Sequence, residues 1–391
     1  MLTELTSPDE AALAPCVIRT HVASLTLSHF RNYHAAHIEV SARPVVLLGA
    51  NGAGKTNILE AISLFTPGRG LRRATLGDMD NAQDSRPWAV AAEVVGMQGA
   101  VQLGTGRDPE AGPESDKRIV KIDGKVARGQ TGLARAFSAL WLTPQMDNLF
   151  IEGGTARRKF LDRLVYSFDA EHASRVNAYD YAMRERNRLL ASGRADASWL
   201  SALEQKMAEQ GVAIAVARAH AVEGLSKAVQ LSRHSFPQAA LALNGTVEAT
   251  LMQGSALAAE EAFRAALIAN RGQDAASGRT LLGIHRTQVQ VTHVEKSMPA
   301  ERCSTGEQKA LLVSIILGQA RAGAAWHGCV PVLLLDEVST HLDLKRRAEL
   351  YAELEAVGAQ VWITGTDADI FTGLDAQYLH IRDGAVMEGL K

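Results

Sequence analysis

The segment VVLLGANGAGKTNILEAI, residues 45 to 62, constrains this chain more than any other stretch. Its first four residues are apolar without a polar break, the pattern of a strand buried on both faces. Gly49-Ala50-Asn51-Gly52-Ala53-Gly54-Lys55-Thr56 then follows the G-x-x-x-x-G-K-[ST] pattern, and the spacing of NILEAI begins a helix. Glycines let successive backbone N–H groups wrap phosphate oxygens, Lys55 supplies a cation for the β and γ oxygens, and Thr56 offers a hydroxyl to Mg²⁺. The helix dipole faces the same anion. An α/β fold with a phosphate ligand is therefore the starting expectation.

A second buried-strand pattern, Val330-Pro331-Val332-Leu333-Leu334-Leu335, ends abruptly in Asp336-Glu337. By itself such a run also suits a strand ending in a solvated turn. Beside a phosphate loop it has a sharper meaning: Asp336 holds Mg²⁺ through its water shell, and Glu337 orients and deprotonates the attacking water.

The rest of the chain sets the frame. Strand-like runs fill residues 22 to 125 (VASLTL, AHIEV, WAVAAEVV, AVQLGT and RIVKIDGKVA), with Asp123-Gly124 as a hairpin turn. From about 155 to 235 the spacing is helical, broken at Gly193, and no heptad seam persists, so a compact set of helices is expected rather than a projecting rod. Strand signals return after 280 in VQVTHV, VPVLLLD and AQVWITG, so the parallel sheet is split between the two ends of the chain. The expected division is a flexible extension over 1–20, a head built from 21–150 and 280–391, and an inserted, mainly helical lobe over 151–279.

With 41 Lys and Arg against 43 Asp and Glu, the net charge of −2 excludes a global positive field, so any polyanion binding is local. Basic clusters occur at Arg69, Arg72 and Arg73, at Arg157, Arg158, Lys159 and Arg163, and at Arg184, Arg186 and Arg188. Each suits a solvated face or a phosphate contact without sequence readout. Cys16, Cys303 and Cys329 fit neither a disulfide framework nor zinc spacing. No signal peptide or membrane span is read, and a cytoplasmic protein is expected.

Ser304-Thr305-Gly306-Glu307-Gln308 opens an apolar helical run with a capping-box pattern. The same exposed N–H groups and serine hydroxyl make an anion site without an anion of its own. The order of this segment, Asp336-Glu337 and Ser339-Thr340-His341-Leu342-Asp343 resembles the signature, Walker B and D-loop of ABC-type ATPases. SLTLSHFRNY (24–33), ARRKFLDRLV (156–165), GIHRTQV (283–289), STGEQKALL, LLLDEVSTHLD and QVWITGTD (360–367) narrow the resemblance to the RecF family of recombination mediators, within the ABC/SMC-like superfamily. It covers nearly everything after residue 20.

The resemblance implies an ABC-type P-loop ATPase head with ATP and Mg²⁺ as cofactors, in which Ser304 and Gly306 of one chain complete the nucleotide site of a second. Ser339 and Asp343 then lie at the dimer D-loop, and Gln145 in LTPQMD stands either as the Q-loop ligand of Mg²⁺ or as a plain loop glutamine. It also implies weak, DNA-stimulated ATPase activity, DNA at gaps or junctions, RecO and RecR as partners, RecA loading and the SOS response. An ABC transporter subunit is the rival from another class, lacking here its switch histidine and closer L-S-G-G-Q; a third is an SMC-like structural ATPase. Departures from the family pattern are His29 for asparagine, Thr287-Gln288 for two aspartates after His285-Arg286, and Thr305 for the signature's first glycine. His285 is left between a structural and a functional role.

Overall fold

The computed structural model describes residues 18–388 apart from 85, 97–98, 111–116, 128–130, 194–195, 231–235 and 340–341. Most of the expected N-terminal extension, Cys16, and Thr340 and His341 therefore lie outside the described residues. Residues 18–20, which the expected extension includes, are described. Ile18–Arg19 pairs in parallel with Cys329–Val330, and the Thr20 N–H donates to the Val330 carbonyl at 3.3 Å, so this short segment shares a ladder with the rest of the chain.

One six-stranded sheet has the order Ala385–Glu388, Gln377–Arg382, Val45–Leu48, Val361–Gly365, Val332–Leu335, Ala139–Leu142, parallel except at the first pair. Val45–Leu48, Val332–Leu335, Val361–Gly365 and Ala139–Leu142 are buried at every residue, as unbroken apolar runs require. Strand periodicity divides their side chains between two cores. Val45, Leu47, Val332 and Leu334 pack with Ile58 and Ile62 of the Lys55–Ser63 helix and with Leu25, Leu27 and Trp88. Val46, Leu48, Leu333 and Leu335 pack against Leu311, Leu312, Ile315 and Ile316 of the Thr305–His327 helix.

Leu25, Leu27 and Trp88 belong to an antiparallel layer in which Tyr33–Glu39, His21–Phe30, Ala89–Gly96, Gly99–Arg107, Arg118–Ile122 and Lys125–Val126 succeed one another. Its last hairpin turns at Asp123 (φ 48°) and Gly124 (φ 75°), both left-handed as a type I′ turn demands. The helices Gly154–Tyr166, His172–Ala191 and Ala197–Gln230 follow, with Gly193 at φ 65° between the last two. The 34-residue helix spans about 50 Å at 1.5 Å per residue. It does not project, because it packs against His172–Ala191, Ala256–Ala269 and Thr305–His327.

Ala239–Asn244 pairs antiparallel with Gln288–His293 over six residues, and Met298–Pro299 extends the sheet. The expected boundary at 279 thus falls between two hydrogen-bonded strands. The residues on either side of that boundary are joined by a shared ladder.

Arg186, read with Arg184 and Arg188 as a basic surface cluster, is fully buried. Successive helix residues turn by 100°, so Arg186 points away from a face shared by Arg184 and Arg188. Its Nε donates to Glu204 Oε1 (3.0 Å), Nη1 to Asp274 Oδ2 (2.7 Å) and Thr280 Oγ1 (3.0 Å), and Nη2 to the Leu267 carbonyl (2.7 Å). One guanidinium joins the His172–Ala191, Ala197–Gln230, Ala256–Ala269 and Arg271–Ser277 helices.

Candidate functional site

The register of the parallel strands assembles the site. Leu48 is opposite Gly365, Leu335 is opposite both Ile363 and Leu142, and the Asp336 N–H donates to the Leu142 carbonyl at 2.9 Å. The loop after each strand therefore emerges at one carboxyl-terminal edge, where open α/β sheets bind ligands. Gly49–Thr56, Asp336-Glu337, Thr364 and the Gln145 turn all lie along it.

The phosphate loop is held from below by the FRNY segment. Asn32 Nδ2 donates to the Ala53 carbonyl (2.9 Å), the Tyr33 hydroxyl donates to the Gly54 carbonyl (3.1 Å), and Asn57 Nδ2 donates to Asn32 Oδ1 (2.8 Å). Gly54 sits at φ 116°, and a Cβ there would lie 2.7 Å from Asn32 Nδ2 and 2.8 Å from the Tyr33 hydroxyl, so side chains are excluded by two independent causes. Arg31 and Arg72 both donate to the fully buried Glu60 carboxylate on the following helix. Sequence reading missed these supports; the available signal was a carboxylate, Glu60, inside the apolar pattern NILEAI.

Lys55 is buried, and its Nζ donates to the Gly49 (2.7 Å) and Ala50 (2.9 Å) carbonyls. Burial lowers its pKa, while Glu337 and Asp336 pull it upward. Across the edge, the Thr56 hydroxyl lies 3.0 and 3.1 Å from the Asp336 carboxylate oxygens. Burial raises the Asp336 pKa against the opposing hydrogen bonds from Thr364 and Thr56. Thr364 Oγ1 donates to Asp336 Oδ1 (2.8 Å) and accepts from the Glu337 N–H (2.9 Å). It thereby locks the two carboxylate residues to the neighbouring strand, a role no pattern in the sequence had revealed. Glu337 itself stands at φ 54°, a left-handed conformation unusual outside glycine.

These donors suit a magnesium nucleoside triphosphate. A cation such as Lys55 and the N–H groups of a glycine-rich loop are the donors a phosphate takes, and the Thr56 hydroxyl with the Asp336 carboxylate is a hard-oxygen pair of the kind Mg²⁺ prefers. Gln145, exposed in the turn Pro144–Met146, lines a concavity with Arg72, Arg73, Thr143 and Arg163. Ser304 is exposed at the start of its helix and accepts from the Glu307 N–H at 3.4 Å, while Glu307 Oε2 accepts from the Ser304 N–H at 2.9 Å. Lys296 pairs with Glu307, holding its carboxyl well below the usual range and offsetting its charge. Gly306 is exposed beside it. Ser339 is fully buried in its own chain, whereas exposed Asp343 caps the Leu344–Val357 helix by accepting from the Arg346 N–H at 2.8 Å.

A model of the RecF/RecN/SMC N terminal domain family matches residues 21–384. The DNA replication and repair protein RecF of Mesorhizobium japonicum is 47% identical over 372 residues, covering 94% of this chain and 98% of that one. The chain belongs to the RecF family. A second RecF, from Rhizobium meliloti, is 45% identical and covers 94% of this chain and 99% of its own. In three dimensions the chain is similar to the recombination mediator protein RecF solved as RecF-ATPrS in the RecFOR pathway, with a TM-score of 0.83, 21% identity, and 96% and 100% coverage. An Smc head from Pyrococcus yayanosii matches at a TM-score of 0.55 with 14% identity, over 94% of this chain and 97% of that one. The fold is thus the ABC/SMC ATPase head.

Within this RecF-family frame, the basic candidates separate. Arg157 donates to the Val289, Phe150 and Glu152 carbonyls, and Arg158 to the Thr287 carbonyl and Thr155 Oγ1. Arg163 lies over the Trp141 and Phe160 rings, 4.6 and 5.2 Å from their centroids. These guanidinium groups are engaged in holding loops and strands, because a helix beside a sheet end offers unpaired carbonyls to long donors. Arg72 is engaged with Glu60 and Asn57, while Lys159 is exposed. Arg69 and Arg73 stand on the loop after the phosphate-loop helix.

His285 is fully hydrogen-bonded: Nε2 donates to the Thr280 carbonyl (3.0 Å), so Nδ1 accepts from the Tyr179 hydroxyl (2.9 Å). Thr287, which stands in place of a family aspartate, donates to buried Glu248 at 2.7 Å. Burial lowers the His285 pKa, assisted by Arg286 and Arg158 and opposed by the Thr280 carbonyl and Asp274. The unfolded chain then binds the proton more readily, so this stabilisation is complete above about pH 6.5 and is lost as pH falls from there toward the folded pKa. Thermal melts of the unmodified chain and His285→Gln from pH 7.5 to 5.5 check this: the substitution removes part of the acid-side fall in Tm.

Proposed function

We propose that this chain is an ATP-dependent DNA-binding protein of recombinational repair and replication. The observation that carries the reading is the meeting of Lys55, Thr56, Asp336 and Thr364 at one sheet edge in a RecF-family chain, with Glu337 held beside them. ATP and Mg²⁺ bind there, with Gln145 as a further Mg²⁺ ligand. Two chains close on each other, Ser304 and Gly306 of one reaching the γ-phosphate held by the other, and Asp343 lies near the contact. The exposure of Ser304, Thr305 and Gly306 at the start of that helix supports this half of the reading. The closed dimer clamps gapped DNA or single-strand/double-strand junctions, with RecO and RecR as partners in RecA loading and the SOS response in the cytoplasm. Hydrolysis by Glu337-activated water releases it.

Arg69, Arg73 and Lys159, all exposed, are basic residues that meet DNA phosphates once two chains approach. No helix among the described residues is long and apolar enough to cross a membrane. Filter binding tests the central step: ATP-dependent retention of gapped duplex that weakens steeply with salt is expected, and absence of retention at low salt overturns it. Mixing Lys55→Met with Ser304→Arg chains, each inactive alone, restores part of the ATPase activity if the site is shared. No recovery in demonstrated mixed dimers places hydrolysis within one chain.

A further inference from the structure

We propose that His29, His34 and Asp84 form a binding site for a divalent first-row transition-metal ion, which competes with the Arg86 guanidinium for the same ligand atoms. One ligand atom from each residue lies within 4.8 Å of the others. His29 Nδ1 is 3.0 Å and His34 Nε2 is 3.7 Å from Asp84 Oδ2, and the two rings meet edge to face at 4.8 Å.

The decisive atom is His29 Nδ1. It is buried and, despite its 3.0 Å approach to Asp84, has no partner in hydrogen-bond geometry. A proton between nitrogen and oxygen prefers a nearly straight N–H···O line. A metal ion asks for the opposite arrangement: two ligands about 2.0–2.1 Å from one ion, at roughly tetrahedral or octahedral angles, lie roughly 3 Å apart and off that line. The pair has the spacing of two neighbours in a coordination shell.

His34 offers its second nitrogen in the same sense. Arg86 Nη2 lies 3.2 Å from His34 Nε2, and a guanidinium only donates, so this nitrogen presents its lone pair. Arg86 also donates to Asp84, from Nη2 at 2.7 Å and from Nε at 3.0 Å. Imidazole and carboxylate thus already converge on a cation. Arg86 is 61% exposed at its side chain, and His34 is 71% exposed, so both can move to admit an ion without disturbing the core.

The backbone fixes the remaining members. Phe30 and Asp80 form an isolated bridge, and the Asn81 N–H donates to the His29 carbonyl at 3.1 Å. The Asp84 N–H donates to the Asn81 carbonyl at 3.1 Å. His29 is at φ 49°, so its ring is aimed from a conformation the chain rarely takes. Two imidazoles with one carboxylate suit Zn²⁺, Ni²⁺ or Co²⁺ over Mg²⁺, separating this site from Thr56 and Asp336.

Isothermal titration of the full chain with ZnCl₂ or NiCl₂, in millimolar Mg²⁺ and without nucleotide, tests the site. One ion binds per chain in the unmodified protein. His29→Asn and His34→Ala each weaken that binding at least tenfold, and Arg86→Gln strengthens it by removing the competing cation. Circular dichroism confirms that the variants are folded, and asparagine at 29 is the residue the family pattern carries. Absence of saturable binding in both the unmodified chain and Arg86→Gln overturns the proposal, as does binding unchanged in the two histidine variants.

Discussion

Replacing Glu337 with glutamine lowers ATP turnover by roughly 10²–10³-fold, the cost of losing a positioned general base. ATP affinity stays within about threefold, because the loop and its lysine are untouched. Single-turnover hydrolysis and nucleotide binding, measured on the same preparation, check the two halves. The substitution is nearly isosteric, so the Glu337 N–H keeps its bond to Thr364 Oγ1 and Asp336 keeps its own. What disappears is a carboxylate able to take a proton from water. The Glu337→Gln chain should also stay longer on gapped DNA with ATP, since release follows hydrolysis in the proposed cycle. Turnover within threefold of the unmodified chain assigns the base elsewhere.

That expectation rests on a site whose parts were unequally visible in the sequence. Gly49–Thr56 and the Asp336-Glu337 pair were legible because each combines a strand-length apolar run with residues whose chemistry is stated locally. Thr364 was not. Its hydroxyl matters only because parallel pairing of Val361–Gly365 with Val332–Leu335 brings it to Asp336, and register between distant strands leaves no local mark. The strand Ala139–Leu142 was passed over for a related reason: four apolar residues without alternation read equally as helix or strand.

Arginines were the least legible class. A guanidinium on a long stem suits a wet surface, a carbonyl-lined helix end or a buried ion network, and composition does not separate these. Arg157 and Arg158 cap carbonyls, Arg163 stacks on rings, and Arg186 is sealed among carboxylates. The helical period carried usable information for Arg186 alone, since residues two apart on a helix point in nearly opposite directions.

The largest stability effect is expected at that buried network. Glu204 accepts from Arg186 Nε at 3.0 Å and from Arg271 through both carboxylate oxygens, at 2.9 and 2.6 Å. Glu204→Ala leaves a fully buried Arg186 with one of its two carboxylate partners, Asp274, and removes the anion shared with Arg271, a change of about 3–5 kcal/mol. Denaturant unfolding monitored by circular dichroism gives the measurement, with the midpoint falling and the slope unchanged if the transition remains cooperative. Arg186→Met combined with Glu204→Leu and Asp274→Asn should recover part of the loss, because neutralising Arg186 and both of its carboxylate partners removes the desolvation cost along with the attraction, while asparagine keeps an acceptor for the Leu281 N–H. Recovery separates an uncompensated buried charge from a mere packing defect, which the combined change would deepen. The same Arg186→Met chain, assayed on DNA at low temperature where it remains folded, should keep the unmodified salt dependence, since a guanidinium enclosed by Glu204, Asp274 and Thr280 has no phosphate to release ions from. A shallower slope would instead mean that the His172–Ala191 helix turns this face outward on DNA.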